Sequence, residues 1–362
     1  MVAGLPLIRR IALAARRAGF GRIAVHGLCV DGTLSGIPAD RLDQAESELQ
    51  GSRCRFVLLP ANVIPHPDWL RALLATPVEP DTLYRDGAMV AIIETARPDR
   101  VLSATSGSRS VGDLLAALRT RFDEAPCPVD RSGRFPLAGR GDVASAETWL
   151  LRSLIKASEG FMSRHFERRL SLALTRRLVA TRITPNAMTV LSVGIGLLGA
   201  PCFLSADPLV QLAGALLFLT HSILDGCDGE LARLKFLESR SGALLDFWGD
   251  NLVHVAVFLS MAIGWSNDMS APWPLVVGAV AVAGTAAAAA ALGADGLGHH
   301  AQGTDPSWAT RLTGALAHRD FIYLVVVLAA AGKAWWFLAF AAGGTPIFAL
   351  LCLWARATRR AS

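Results

Sequence analysis

The stretch Asp225-Gly-Cys-Asp228-Gly229-Glu230-Leu-Ala232-Arg233, followed eight residues later by Gly242 and then by Asp246 and Asp250, sets four aspartates at the junction of two apolar segments. Carboxylates there are expensive: each costs about 2.5–3.5 kcal/mol at the bilayer centre and less near the interface. Four of one sign also repel one another. The nearby cations Arg233, Lys235 and Arg240 are too few to balance four aspartates plus Glu230 and Glu238. A bound cation resolves the conflict, because clustered carboxylate oxygens select hard metals such as Mg²⁺, Mn²⁺ or Ca²⁺.

The spacing turns the cluster into a site. Asp225 and Asp228 are three apart and Asp246 and Asp250 four apart, so each pair lies on one helical face. Gly229 and Gly242 would let an anionic group approach the backbone closely. Arg233 falls one turn beyond Gly229, where a guanidinium can meet phosphate oxygens in a bidentate fork. Two facing carboxylate pairs could hold two cations about 3.5–4 Å apart, the arrangement used in phosphoryl displacement.

The pattern D-x2-D-G-x2-A-R-x8-G-x3-D-x3-D resembles the signature of the CDP-alcohol phosphotransferase (CDP-alcohol phosphatidyltransferase) family. All eight specified positions match: Asp225, Asp228, Gly229, Ala232, Arg233, Gly242, Asp246 and Asp250. The resemblance implies transfer of a substituted phosphate from a CDP-alcohol donor, CDP-diacylglycerol or a CDP-polyol, to an acceptor hydroxyl with release of CMP. It also implies Mg²⁺ or Mn²⁺, two ions, held by Asp225, Asp228, Asp246 and Asp250. Asp250 would double as general base, Gly229, Ala232 and Gly242 would make room for the nucleotide, and Arg233 would contact phosphate. Asn186, Arg240, Arg311 and Arg319 are candidates for binding substrate or acceptor. For Asn186 a helix-capping role competes, and for the three arginines topological anchoring. His254 reads equally as a structural hydrogen-bonding group, and His299-His300 as a solvated pair.

Composition points the same way. The chain has 362 residues, 52% of them hydrophobic, with a net charge of +5. The apolar excess begins near residue 187, and six membrane helices are expected at about 187–205, 208–225, 242–264, 274–294, 315–332 and 334–355, each long enough for a ~30 Å hydrocarbon core. The second helix is free to continue past Asp225, carrying Arg233. Trp265, Trp273, Trp335 and Trp336 flank the turns at one end as an aromatic belt would, while arginines and lysines crowd the other. Both termini are therefore expected on the cytoplasmic side, in a bacterial inner membrane. The basic residues Arg164, Arg168, Arg169, Arg176, Arg177 and Arg182 sit beside the first span, which argues for anionic lipid and against nucleic acid. Gly194, Gly196 and Gly199, with an alanine run at 286–291, suit close helix packing or a homodimer seam. Six scattered cysteines without a C-x-x-C pair argue against disulfides and zinc. A start without a long apolar run argues against a cleaved signal peptide.

Residues 1–145 read as α/β: helices over Pro6–Gly19 and Asp68–Thr76, and strands over Arg22–Val25, Arg55–Leu59 and Ala88–Glu94. This alternation favours a mostly parallel sheet. Ala3-Gly4-Leu5-Pro6, Leu58-Leu59-Pro60-Ala61-Asn62 and Gly141-Asp142-Val143 are similar to parts of a sugar-phosphate nucleotidyltransferase, a truncated Rossmann-like fold. The Gly-rich phosphate loop of such enzymes is missing, and Asn62 stands where they place a metal-binding aspartate, so an inactive domain is expected. An amphipathic juxtamembrane helix (146–185) would join it to the six-helix domain (186–362). Thr184-Pro185-Asn186 marks a helix start, and Lys156–Arg164 resembles relatives that pair the two domains in bifunctional inositol-phosphate cytidylyltransferase/di-inositol-phosphate-phosphate synthases. Two readings of another class compete with the enzyme: a membrane-anchored binding scaffold and a divalent-cation transporter.

Overall fold

The computed structural model describes residues 1–25, 34, 40–41, 53–155, 166–293 and 321–361, which divide into two compact units, Met1–Leu150 and Leu151–Ser362.

In the first unit, α1 (Leu7–Ala18) buries Arg10, Ala12, Ala14 and Ala18 and ends on Gly19, whose φ of 101° only glycine adopts readily. Arg10 donates to the carbonyls of Val2 and Ala3, at 3.2 and 2.9 Å, and burial pushes its guanidinium down to about 10. Short strands β1 (Ala24–Val25) and β2 (Asp40–Arg41) pair in parallel. Next come β3 (Cys54–Leu58), β4 (Val63–Pro65), α2 (Pro67–Ala75), β5 (Thr82–Arg85) and β6 (Ala91–Thr95). Helices α3 (Asp99–Ser106) and α4 (Val111–Arg119), strands β7 (Asp123–Pro126) and β8 (Arg134–Pro136), and α5 (Val143–Arg152) follow.

The main sheet runs β3-β6-β5-β7. The expected mostly parallel sheet is corrected here: β6 is antiparallel to both β3 and β5, and only β5 with β7 is parallel in this sheet. The cause is local. Asp86 caps a hairpin between β5 and β6, its Oδ1 accepting from the amides of Ala88 and Val90 at 2.8 and 3.0 Å, while Met89 takes a φ of 62°. A turn that short cannot feed a parallel crossover. Leu83, Ile93, Val101, Leu115 and Leu118 fill the core between this sheet and α3 and α4.

Asn62 has a structural occupation. Its Nδ2 donates to the carbonyl of Leu137 at 2.9 Å, where the Leu137 amide returns a bond to the carbonyl of Asn62 at 2.8 Å.

In the second unit, α6 (Arg168–Leu178) precedes the long apolar helices. Within the expected juxtamembrane stretch 146–185 the described residues hold the end of α5 and all of α6, and the chain leaves helix after Leu178. Then come α7 (Pro185–Gly199, extended by a 3₁₀ turn to Leu204), α8 (Pro208–Lys235), α9 (Arg240–Met269), α10 (Trp273–Gly293), α11 (Phe321–Ala330) and α12 (Ala334–Ala361). Side-chain caps start three of them: Thr184 accepts from Ala187, Asp207 from Leu209 and Ser239 from Gly242, and Pro185 and Pro208 take first-turn positions.

Five of these helices are long and apolar enough to cross a membrane: Pro185–Leu204, Pro208–Lys235, Arg240–Met269, Trp273–Leu292 and Ala334–Trp354. The chain is an integral membrane protein. The sixth expected span, about 315–332, is represented by the short apolar helix α11, and its first residues lie outside the described residues. Exposed Val190, Leu198, Leu209, Val276 and Leu350 form the outer surface that a bilayer would cover. Phe218, Val253, Val257, Phe258, Ile322, Val325 and Leu338 form the shared core.

Small residues set the closest crossings. A Cβ on Gly199 would lie 2.8 Å from Leu217 Cβ and 3.0 Å from the carbonyl oxygen of Gly214, and one on Gly214 would meet Cys202 Cβ at 2.7 Å. Gly196 similarly faces Val253 and His221. These three glycines therefore serve packing within the chain, whereas Gly194 has open space around it.

Trp265 ends this bundle at one side, 4.4 Å from the Trp273 ring and 4.7 Å from Trp335 between centroids. Asp250 lies fifteen residues earlier on α9, about 22 Å away along the axis at 1.5 Å per residue. The aromatic end and the acidic end are thus well separated.

Candidate active site

Helix α8 does not stop at Asp225. It continues to Lys235, so Asp225, Asp228, Gly229, Ala232 and Arg233 share one rigid element. Pro208 to Asp225 rises about 26 Å, which places the first aspartate near the far edge of a ~30 Å hydrocarbon core. Helix α9 starts at Arg240 and brings Asp246 back at the same level.

The ligand oxygens of Asp225, Asp228 and Asp246 all lie within 4.8 Å of one another. Asp225 and Asp228 are only 4% and 5% exposed, and the Oδ1 of Asp246 is buried without a hydrogen-bond partner among the described residues. Three carboxylates held this close out of water need positive charge between them. The donor set is all hard oxygen, which suits Mg²⁺ or Mn²⁺, so the residues present fit the cation expected from the motif.

Asp250 stands apart from that trio. It lies one turn further along α9, with Oδ1 3.4 Å from Nε2 of His221 on α8. His221 is 2% exposed and stacks on Phe218. A small cavity between these elements is lined by His221, Ser222, Asp250, His254, Phe218 and Ile322. His254 bonds back through Nδ1 to the Asp250 carbonyl at 2.8 Å and packs edge-on against Phe218, a structural use.

The glycines have specific neighbours. A Cβ on Gly229 would lie 3.2 Å from Nη1 of Arg233, so the glycine lets the guanidinium fold back over the helix. One on Gly242 would lie 2.9 Å from Oδ1 of Asn186. Asn186 is exposed at the start of α7, and the structure brings it to the first turn of α9. Arg240 is exposed at that helix start. Arg311, Arg319 and His299-His300 lie outside the described residues, as does Lys156–Arg164.

Three participants escaped the sequence reading. Thr189 on α7 donates its hydroxyl to Oδ2 of Asp228. His221 faces Asp250. Glu230 is fully buried on α8, where its carboxylate accepts from Arg168 and Ser171 at 2.7 Å each and from Thr175 at 2.6 Å. Arg168, Ser171 and Thr175 recur at helical spacing, a polar stripe that could have announced a polar partner.

The membrane helices carry the CDP-alcohol phosphatidyltransferase sequence pattern: residues 182–347 match the model of the family of that description. Among similar proteins, the bifunctional IPC transferase and DIPP synthase of Thermococcus kodakarensis is 36% identical over 128 residues, covering 35% of this chain and 28% of that protein. The protein of the same name from Rubrobacter xylanophilus is 32% identical over 249 residues, covering 67% of this chain and 54% of its own length. The chain thus spans about half or less of these relatives. A crystal structure of Mycobacterium tuberculosis phosphatidylinositol phosphate synthase (PgsA1) with CDP-DAG bound overlaps at a TM-score of 0.37 with 21% identity, covering 51% of this chain and 94% of that one.

Proposed function

We propose that the protein is a membrane CDP-alcohol phosphotransferase, which moves a substituted phosphate from a CDP-alcohol to an acceptor hydroxyl and releases CMP. The observation that carries this reading is the meeting of Asp225, Asp228 and Asp246 from two helices, with Arg233 one turn away. The family match over residues 182–347 supports it.

In this reading Asp225, Asp228 and Asp246, with Asp250, hold Mg²⁺ or Mn²⁺, two ions, which when bound neutralise the donor's diphosphate and improve CMP as a leaving group. Arg233 meets a phosphate oxygen as the donor settles over Gly229. Asp250, outside the trio and beside a small cavity, takes the proton from the acceptor hydroxyl as its oxygen attacks phosphorus. The new O–P bond forms as the bond to the CMP oxygen breaks. Burial of Asp225 and Asp228 keeps bulk water from competing with the acceptor. In this reading Asn186 and Arg240, at the starts of α7 and α9, meet substrate arriving from the end of the bundle where the aspartates lie.

The donor in this reading is CDP-diacylglycerol or a CDP-polyol. A sixth span through α11, both termini on the cytoplasmic side of an inner membrane, and a homodimer complete the proposal. Residues 1–145 serve as an inactive nucleotidyltransferase-like domain, a role that the engagement of Asn62 with backbone supports.

The test is CMP release by the purified full chain from CDP-diacylglycerol and a CDP-polyol panel, with Mg²⁺, with Mn²⁺ and with chelator. Metal-dependent release that Asp250→Asn abolishes supports the proposal. Absence of metal-dependent CMP from every donor would refute it.

A further inference from the structure

We propose that α6 is a positioning element of the active site, acting through Glu230. The inference rests on the transferase reading for its chemistry, but its geometry stands by itself: Arg168, Ser171 and Thr175 from one face of α6 grip a carboxylate that is wholly shielded from solvent on α8.

Glu230 lies on the back of the helix that carries the site. At 100° per residue it is turned about 140° from Asp225 and about 160° from Asp228. A side chain there cannot touch the nucleotide, yet it fixes how α8 is rotated. Side chains reach about 5–6 Å from a helix axis, so a turn of ~10° displaces a carboxylate oxygen by about 1 Å. Bonds from oxygen to Mg²⁺ are about 2.0–2.1 Å with little tolerance, so a slip of that size would separate Asp225 and Asp228 from Asp246.

The grip is specific. One oxygen of Glu230 accepts from Arg168 and Ser171, and the other from Thr175. Close packing supports it: a Cβ on Gly226 would lie 3.6 Å from Ser171 Cβ and 3.7 Å from Nη1 of Arg168, and Cys227 Sγ bonds the Ser171 carbonyl at 3.5 Å. A second attachment lies at the end of α8, where Lys235 Nζ donates to the carbonyls of Thr181 and Ile183 at 2.9 and 3.2 Å. Two anchor points on one helix resist rotation as well as sliding. A buried ion pair adds little net stability, and its better-attested use is to fix register. A basic helix serving only as a lipid anchor would have no need of Ser171 and Thr175 facing inward, at 2% and 0% exposure.

The experiment measures Mn²⁺ binding to the purified full chain in detergent by electron paramagnetic resonance, with CMP release recorded beside it. Glu230→Gln and Arg168→Gln should each weaken Mn²⁺ binding about tenfold, the low end for outer-shell partners of a metal site. The double variant should be no worse than either single one. At saturating metal, KM for the CDP-alcohol should change less than twofold. If Glu230→Gln does not accumulate as folded protein, the Ser171→Ala/Thr175→Val pair decides by the same constant. Wild-type Mn²⁺ affinity in that pair, or in Glu230→Gln, would overturn the proposal, and so would additive losses in the double variant. Should Mn²⁺ bind and weaken as stated while no donor yields CMP, the transferase reading falls and the clamp stands.

Discussion

The hydroxyl of Thr189 on α7 is donated to Oδ2 of Asp228 on α8, so the first helix of the membrane part holds a carboxylate of the second. The bond fixes the plane of the carboxylate. Thr189→Val keeps the shape and removes the donor. It should raise the metal concentration for half-maximal CMP release by about tenfold, as loss of a partner behind a ligand does. Thr189→Ser restores the hydroxyl and should stay near wild type. Equal metal dependence in the valine and serine variants would contradict this role.

Arg233 folds back over Gly229 with Nη1 at 3.2 Å from where a Cβ would stand. Arg233→Lys retains the charge but loses the planar fork, so it should still reduce kcat/KM by at least tenfold. Gly229→Ala crowds the same guanidinium and should lower kcat/KM in the same direction. Steady-state kinetics with the best donor decides both.

The crossing of α7 and α8 depends on Gly199 and Gly214. A side chain at either position pushes the backbones apart, and overpacking of this kind costs about 1–3 kcal/mol. Gly214→Val should lower the thermal midpoint in detergent by several degrees, whereas Gly194→Val, in open space, should not. Comparable losses at both positions would show that the crossing is not tightly packed.

Glu94 pairs with Arg55 across β3 and β6, with Nε to Oε2 at 2.9 Å. The hydrogen bond from Arg55 holds the Glu94 carboxyl below the usual carboxylate range. A depressed carboxyl contributes stability that is complete above its unfolded value and is lost as pH falls through the folded one. Protection factors of the amides in Cys54–Leu58 and Ala91–Thr95 of the full chain, each referred to its intrinsic exchange rate at the same pH, should therefore fall on acidification below about pH 4. Arg55→Gln should flatten that dependence, and an unchanged profile would refute the assignment.

The aspartate motif was legible because its spacing is helical and its cost in a membrane has few resolutions. The starts of the long helices followed from hydropathy and, for α7, from Pro185, which takes a first-turn position. The continuation of α8 was anticipated, since Gly226 and Gly229 do not break a helix packed on both sides. The partners in contacts between separate helices were not legible: the stripe Arg168, Ser171 and Thr175 signals a polar partner without naming Glu230, and nothing around Thr189 points to Asp228, because those pairings arise only once α6, α7 and α8 meet. The antiparallel sheet was missed for a local reason. Asp86-Gly87 is a hairpin signal, but β5 before it was not recognised as a strand, so β6 had no antiparallel neighbour to pair with.

A crystal structure of the full chain with Mn²⁺ and CMP, phased on the anomalous signal of the metal, tests the central claim most directly. The account predicts a manganese peak bounded by the carboxylates of Asp225, Asp228 and Asp246, with the nucleotide phosphate beside it and Arg233 in reach. A peak elsewhere, or CMP bound with no metal among these three side chains, would contradict it.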